Sequence, residues 1–199
     1  MTTNPDSDVK TQGTVSPSKA TGRHGSGALI GSIAPSAPGA HSEPSEADRR
    51  RVEALIHRTA RAIDDDRLES FPDFFTEDGI YQVASRFNVE RGLPMAQINC
   101  RNRGMIIDRI ASLRHANIYG KHRYRHLISS IEIESQTGTS MRVRTSYLVI
   151  RIMDDGTSTI FSSGEYQDMI VLESGAARFR ERRVIFDSKS IDTLLVIPL

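Results

Sequence analysis

The sequence predicts an α+β domain in which three N-terminal helices cover one face of a curved, mostly antiparallel sheet. Three observations predict it. Val52, Leu55, Ile56, Thr59, Ala60 and Ile63 repeat at the spacing of one buried helical face. After Gly120 the period changes from 3.6 residues to 2. Turn signals at Gln136-Thr137-Gly138, Asp154-Asp155-Gly156 and Ser174-Gly175 then separate the alternating stretches. Helices followed by a long meander pack as two layers, because each covers the apolar face of the other. The layers enclose a cone whose interior is either a pocket or core.

The first helix enters through Glu43-Pro44-Ser45-Glu46-Ala47-Asp48, with Ser45 as cap and Asp48 three residues on. Asp64-Asp65-Asp66 ends it. A short second helix carries Leu68, Phe71, Phe74 and Phe75, with Pro72 near its start. Glu77-Asp78-Gly79 turns the chain into a strand around Ile80-Tyr81-Gln82-Val83. A loop rich in Arg, Asn and Gly leads to a third helix near 102–116, with Ile106, Ile110 and Leu113 on one face and Gly120 closing the segment. Strands follow at about 124–134, 139–153, 157–172 and 177–187. The clearest has Met141, Val143, Thr145, Tyr147 and Val149 alternating with Arg142, Arg144, Ser146, Leu148 and Ile150. Asp155-Gly156 is the strongest hairpin signal. The end, Leu194-Leu195-Val196-Ile197-Pro198-Leu199, is apolar and has to be buried against the chain itself or a partner.

The composition divides the chain in two. Residues 1–47 hold five of the eight prolines and no aromatic residue; the first is Phe71. Such a stretch cannot bury enough apolar surface to offset its ordering entropy. It reads as a disordered low-complexity tail before a single domain at 48–199. No apolar run approaches the ~20 residues that span a bilayer, and no membrane or signal segment is expected. With 26 Lys+Arg against 25 Asp+Glu, the chain lacks the excess of basic residues that marks a duplex-binding domain, so no nucleic-acid partner is expected. The single cysteine, Cys100, excludes an intramolecular disulfide and reads as a reduced, buried hydrophobe in a cytoplasmic protein.

Candidate chemistry is sparse. His122-x-x-x-His126 has the spacing of two zinc ligands on a helix. On a strand, however, four residues span ~13 Å, too far for one ion. The structural expectation is a buried, hydrogen-bonded His126 and an exposed His122, with no metal site. Tyr81, His126, Tyr147, Tyr166, Asp168 and Asp187 are the side chains a pocket enzyme would use as acid or base. Arg109, Arg114, Lys121, Arg123 and Arg125 cluster, and Arg178, Arg180 and Arg182 are expected on one strand face. These arginines fit a solvated face with cross-strand ion pairs or a subunit interface, where Arg is enriched. Arg123, Arg125, His126 and Leu199 are the candidate interface residues.

Several segments resemble the small (β) subunits of aromatic-ring-hydroxylating dioxygenases. They are 62–81, from Ala62-Ile63-Asp64 to Gly79-Ile80-Tyr81, then Arg123-Tyr124-Arg125-His126-Leu127, Gly164-Glu165-Tyr166-Gln167-Asp168, Arg183-Val184-Ile185-Phe186-Asp187-Ser188 and Leu195-Val196-Ile197-Pro198-Leu199. The terephthalate-oxidising branch looks nearest, over 108–126, over Phe161-Ser162-Ser163-Gly164-Glu165-Tyr166 and at Asp192-Thr193-Leu194. The resemblance implies a cystatin-like (NTF2-like) cone. It implies a non-catalytic subunit that self-associates as a trimer within an α3β3 oxygenase. It places the Rieske 2Fe-2S cluster, the mononuclear iron and the substrate pocket in the large (α) subunit, and leaves this chain without a cofactor. An NAD(P)H-dependent reductase would feed the complex, which would cis-dihydroxylate an aromatic carboxylate, terephthalate first. The alternative is a stand-alone cone-fold isomerase, dehydratase or hydrolase acting in its own pocket.

Overall fold

The computed structural model describes residues 43–116, 122–191, 195 and 197–199. The tail expectation for residues 1–42 and the closing role of Gly120 lie outside these residues. The chain runs α1 (Glu46–Asp64), a 3-10 helix (Leu68–Phe74), β1 (Phe75–Ser85), α2 (Arg86–Glu90), β2 (Ile98–Cys100), α3 (Arg103–Ala116), β3 (His122–Thr137), β4 (Ser140–Met153), β5 (Ser158–Glu173) and β6 (Ala176–Phe186). The strands form one six-stranded sheet in the order β2-β1-β6-β5-β4-β3. Every pairing is antiparallel except β1 with β6. Among the described residues, no helix is long and apolar enough to cross a membrane.

Helix α1 starts and stops as its sequence dictates. The Ser45 hydroxyl accepts the Asp48 amide at 3.1 Å, which satisfies one of the orphan donors of the first turn. At the other end Asp66 takes φ 55°. Arg67 N–H then reaches Ala62 O, and Asp66 N–H reaches Ile63 O. This paired closure is the Schellman motif, with Asp in the left-handed position usually held by Gly. It leaves Asp64 as the last helical residue, facing β3.

The next segment departs from expectation. The second helix is a 3-10 helix, and Pro72 inside it removes one backbone donor. The chain is already a strand at Phe75, so Glu77-Asp78-Gly79 is not a turn before the strand. Thr76–Gly79 loops out of the β1–β6 ladder, between the pairs Phe75↔Phe179 and Ile80↔Glu181. Helix α2 and strand β2 were not expected; at five and three residues they are too short to show a period. Two arginines fasten α3 over the 3-10 helix. Arg103 donates to Pro72 O and pairs with Glu77 and Asp73. Arg114 pairs with Glu69 at 2.7 Å and with Asp66 at 2.9 Å.

The strands follow the alternation. Met141, Val143, Thr145, Tyr147 and Val149 point into the core and are buried, while their neighbours lie at or near the surface. Ser174 and Gly175 both have positive φ, 49° and 82°, so the two-residue hairpin between β5 and β6 has the backbone of a type I′ turn. The core lies between helices and sheet, around Phe71, Phe75, Tyr81, Phe179 and Phe186.

The chain's apolar end belongs to that core. Leu195, Ile197 and Leu199 are all buried against the chain itself. Leu199, expected at a subunit interface, is fully enclosed, and its side chain is not on the surface. The Tyr81 hydroxyl accepts Leu199 N–H at 3.0 Å and donates to Leu199 O at 3.4 Å. Arg109 donates to Leu195 O at 2.6 Å. Leu199→Ala should therefore cost about 2–5 kcal/mol, the range for a truncated core leucine, measured by chemical denaturation.

Candidate functional site

Four of the six acid–base candidates meet inside the cone. Tyr81 from β1, Tyr147 from β4 and Tyr166 and Asp168 from β5 all point inward and are buried. Tyr147 and Tyr166 stack with centroids 4.5 Å apart and planes at 6°. The Tyr147 hydroxyl shares a hydrogen bond of 2.9 Å with Ser162. Arg182 of β6 lies opposite Asp168 in register. Its Nε and an Nη each donate to one Asp168 oxygen, both at 3.1 Å. The guanidinium also sits over the rings of Tyr166 and Phe179, 4.1 and 4.2 Å from their centroids.

Arg182 is thus not on the face of Arg178 and Arg180. The β5–β6 ladder pairs Ile170 with Phe179 and Met169 with Glu181, so Arg180 is an extra residue. A bulge moves every later side chain to the opposite face. Arg178 and Arg180 stay outside, and Arg182 turns into the core at 1% exposure. The alternation alone could not show this. A lone run of arginines on a strand gave no sign of which one lies inside.

Burial governs the chemistry of these groups. It pushes the Asp168 carboxyl up to about 6, with Arg182 pulling the other way. It raises the Tyr81 hydroxyl to about 12 and shifts Tyr147 and Tyr166 upward as well. Phenols held this far from neutrality, and a carboxylate whose two oxygens are both taken by Arg182, are poorly suited to move protons at a substrate.

His126 and Asp187 lie elsewhere. His126 is on β3, and its Nδ1 donates to Asp64 of α1 at 2.6 Å. Its backbone N–H meets both Asp64 oxygens at 3.1 Å. The pair joins α1 to the sheet, and the imidazole is fully enclosed. Sequence reasoning expected a buried, bonded His126 but did not identify Asp64 as the partner; the aspartate run read only as a helix stop. His122 is half-buried rather than exposed, with its ring 5.0 Å from that of Tyr124. The Tyr124 ring lies between the two histidines in sequence and touches both. Asp187 is on the outer side of the sheet, where it accepts from Arg86 at 2.9 Å and Ser163 at 3.2 Å. Arg123 and Arg125 are both exposed on β3, and the nearest carboxylate oxygen to Arg125 is on Asp64 at 3.8 Å.

The described residues do not fit an iron centre. A Rieske cluster takes about two Cys and two His. The sequence has one cysteine, and it is buried with its thiol pushed up by desolvation. Among the described residues no three His, Cys, Asp or Glu side chains converge as a metal site.

Three comparisons bear on this geometry. Residues 45–183 match a family model described as a SnoaL-like domain. The anthranilate 1,2-dioxygenase small subunit of Burkholderia cepacia is 38% identical over 145 residues, covering 73% of this chain and 90% of that protein. A β subunit of the terminal oxygenase component of terephthalate 1,2-dioxygenase from Comamonas sp. is 40% identical over 149 residues, covering 75% and 97%. A crystal structure from Novosphingobium aromaticivorans, described as an aromatic-ring-hydroxylating dioxygenase β subunit, superposes with a TM-score of 0.70. It is 37% identical and is covered to 95%, against 75% of this chain.

Two measurements check the buried groups. Asp168→Ala or Arg182→Ala leaves a lone charge in the core and should cost about 3–5 kcal/mol. Asp168→Leu with Arg182→Met should lose less than the sum of the two single changes in a denaturation series. The second measurement is alkaline titration. An unfolded phenol titrates near 10.0, whereas burial pushes Tyr81 in the fold up to about 12. The contribution of Tyr81 to stability is complete below the lower value and is lost as pH rises through the higher one. Tyr147 and Tyr166 act in the same direction. Phenolate absorbance should therefore rise cooperatively with unfolding in this window; independent titration of all five tyrosines would contradict the burial.

Proposed function

Since the chain belongs to the small-subunit family of aromatic-ring-hydroxylating dioxygenases, we propose that it is the structural subunit of a two-component Rieske oxygenase. Three copies form a base that positions three large subunits, giving α3β3. The large subunits carry the 2Fe-2S cluster, the mononuclear iron and the substrate pocket. A separate reductase draws electrons from NAD(P)H. The substrate class is an aromatic carboxylate, with terephthalate and anthranilate as the two acids to test first. No residue of this chain touches the ring in this scheme.

The observation that carries this reading is that the acid–base groups inside the cone are bonded to the protein itself. Asp168 is held by Arg182, Tyr81 by the chain's own end, and Tyr147 by Tyr166 and Ser162. A stand-alone acid–base enzyme needs at least one such group within hydrogen-bond reach of a substrate. Here Asp168, Tyr81 and Tyr147 are occupied by the protein. What this chain offers is its rigid shape and its outer surface, which are the properties a scaffold uses.

Oxygen uptake tests the reading. The chain co-expressed with its large subunit, given a reductase and NADH, should consume oxygen with at least one of terephthalate, anthranilate, benzoate and salicylate. The purified chain alone should convert none of them. Activity of the isolated chain on an aromatic acid would defeat the scaffold role. Activity of the pair on other acids would leave the role standing and remove only terephthalate.

A further inference from the structure

The apolar segment at the end of the chain lies in the core without belonging to the sheet. Leu195, Ile197 and Leu199 are buried, yet none of them joins a strand. Among the described residues, every hydrogen bond to their backbone is made by a side chain. The Tyr81 hydroxyl accepts Leu199 N–H and reaches Leu199 O, and Arg109 donates to Leu195 O. A strand is held by the backbone of its neighbours. Side chains converging on an amide and two carbonyls are instead how a pocket orients a bound molecule. The segment is also within reach of solvent. Ile197, with Ile63, Leu113 and Tyr124, lines an open cleft of about 470 Å³ between the ends of α1 and α3 and the start of β3.

Arg109 gives this place its chemistry. It is half-buried on α3 and forms no ion pair among the described residues. Its Nε is enclosed and has no hydrogen-bond partner, and the acceptor it does hold is a neutral peptide carbonyl. Arg182, in the same core, has two donors on a carboxylate. A guanidinium taken from water without a counter-ion is costly, and its planar fork is matched by a carboxylate better than by a single carbonyl. The Arg109 charge also acts on the Tyr81 hydroxyl, where it favours the phenolate, so the two groups share one site. We propose that Arg109 and Tyr81 form a binding site for a small apolar carboxylate, and that residues 195 and 197–199 are its built-in occupant. When the segment withdraws, the ligand's carboxylate takes the donor that Leu195 O now holds, together with the open Nε. Its apolar body takes the core space that the leucine side chains leave. No bond is made or broken there, and the site does not depend on the oxygenase role proposed above.

Isothermal titration of the full chain with benzoate, and with benzamide as its neutral counterpart, tests the proposal. A segment in place lowers the apparent affinity, because only the open fraction binds. Leu199→Ala loosens the occupant and should bind benzoate about tenfold or more tightly than the wild type, with no such gain for benzamide. Leu199→Val, a milder change, should act in the same direction and keeps the test valid if the alanine variant does not fold. Arg109→Gln added to either variant should lose about tenfold in benzoate affinity. That change also removes a tether from the segment, so an arginine with a purely structural role would leave the affinity unchanged or raise it. Hydrogen exchange gives a second readout. In the wild type the Leu199 amide should exchange faster than amides at the centre of β4 and β5, and faster still in saturating benzoate. Equal binding of benzoate and benzamide, an affinity unmoved by both Leu199 variants, or a Leu199 amide that exchanges only with global unfolding would overturn the proposal. Oxygen uptake is read separately. A chain that binds benzoate but supports no oxygenase keeps this site and loses the scaffold role; an active pair whose small subunit binds no benzoate keeps the role and loses the site.

Discussion

A charged pair at the centre of an apolar core constrains the rest of this fold. Asp168 and Arg182 are both almost fully enclosed, and removing two charges from water is costly unless their geometry is good and their other atoms are satisfied. The fold meets the first condition with two parallel hydrogen bonds from Arg182 to Asp168. Register sets the two residues opposite each other on β5 and β6. The guanidinium lies between Tyr166 and Phe179, so its faces meet aromatic rings where water would otherwise be. The Arg180 bulge puts Arg182 inside, and the excursion at Thr76–Gly79 keeps β1 in step with the bulged strand. Gly79 is required there, since a Cβ would stand 2.8 Å from both Phe75 Cβ and Thr76 O.

From this pair the arginines sort into distinct roles. Arg182 is internal. Arg103, Arg109 and Arg114 are anchors on α3: the first and last hold the 3-10 segment, and Arg109 holds the chain's end. Arg86 stitches the outer face through Asp187 and Glu165. Arg123 and Arg125 remain exposed. Most of these pairs are at least partly exposed, and a solvent-exposed pair contributes ~1 kcal/mol or less. Their role is chiefly to fix geometry. The anchors hold α3 to the 3-10 segment and to the apolar end.

The sequence carried the broad layout because periodicity records burial. Helix α1, with its Ser45 cap and aspartate stop, and strands β3 to β6 were legible from spacing alone. Helix α2 and strand β2 were not, because a few residues carry no period. The 3-10 geometry around Pro72 looked like a short helix for the same reason. The misassigned face of Arg182 has a specific cause. Alternation assigns faces only while the ladder is regular, and a single extra residue at Arg180 reverses the assignment for Arg182. Leu199 was misplaced for a different reason. An apolar end calls for burial, but composition does not say whether the chain or a partner provides it. The partner of His126 lies 62 residues away, at the end of another element, where no local pattern points to it.

An open sheet leaves two edge strands with unpaired backbone groups, and such edges invite strand addition. Here both are blunted. β2 has three residues and offers little ladder to extend. β3 is sixteen residues long, but Ser130 takes φ 50° and the pairing with β4 shifts at Ser129/Glu132 and again at Ile133/Ser135. A non-glycine residue with positive φ inside a strand breaks the regular display of N–H and C=O groups. A neighbour therefore cannot extend the sheet through β3 over its full length. The exposed Leu127 stands in the stretch of β3 before the first break. The bulges thus twist the edge away from strand pairing beyond Ser129.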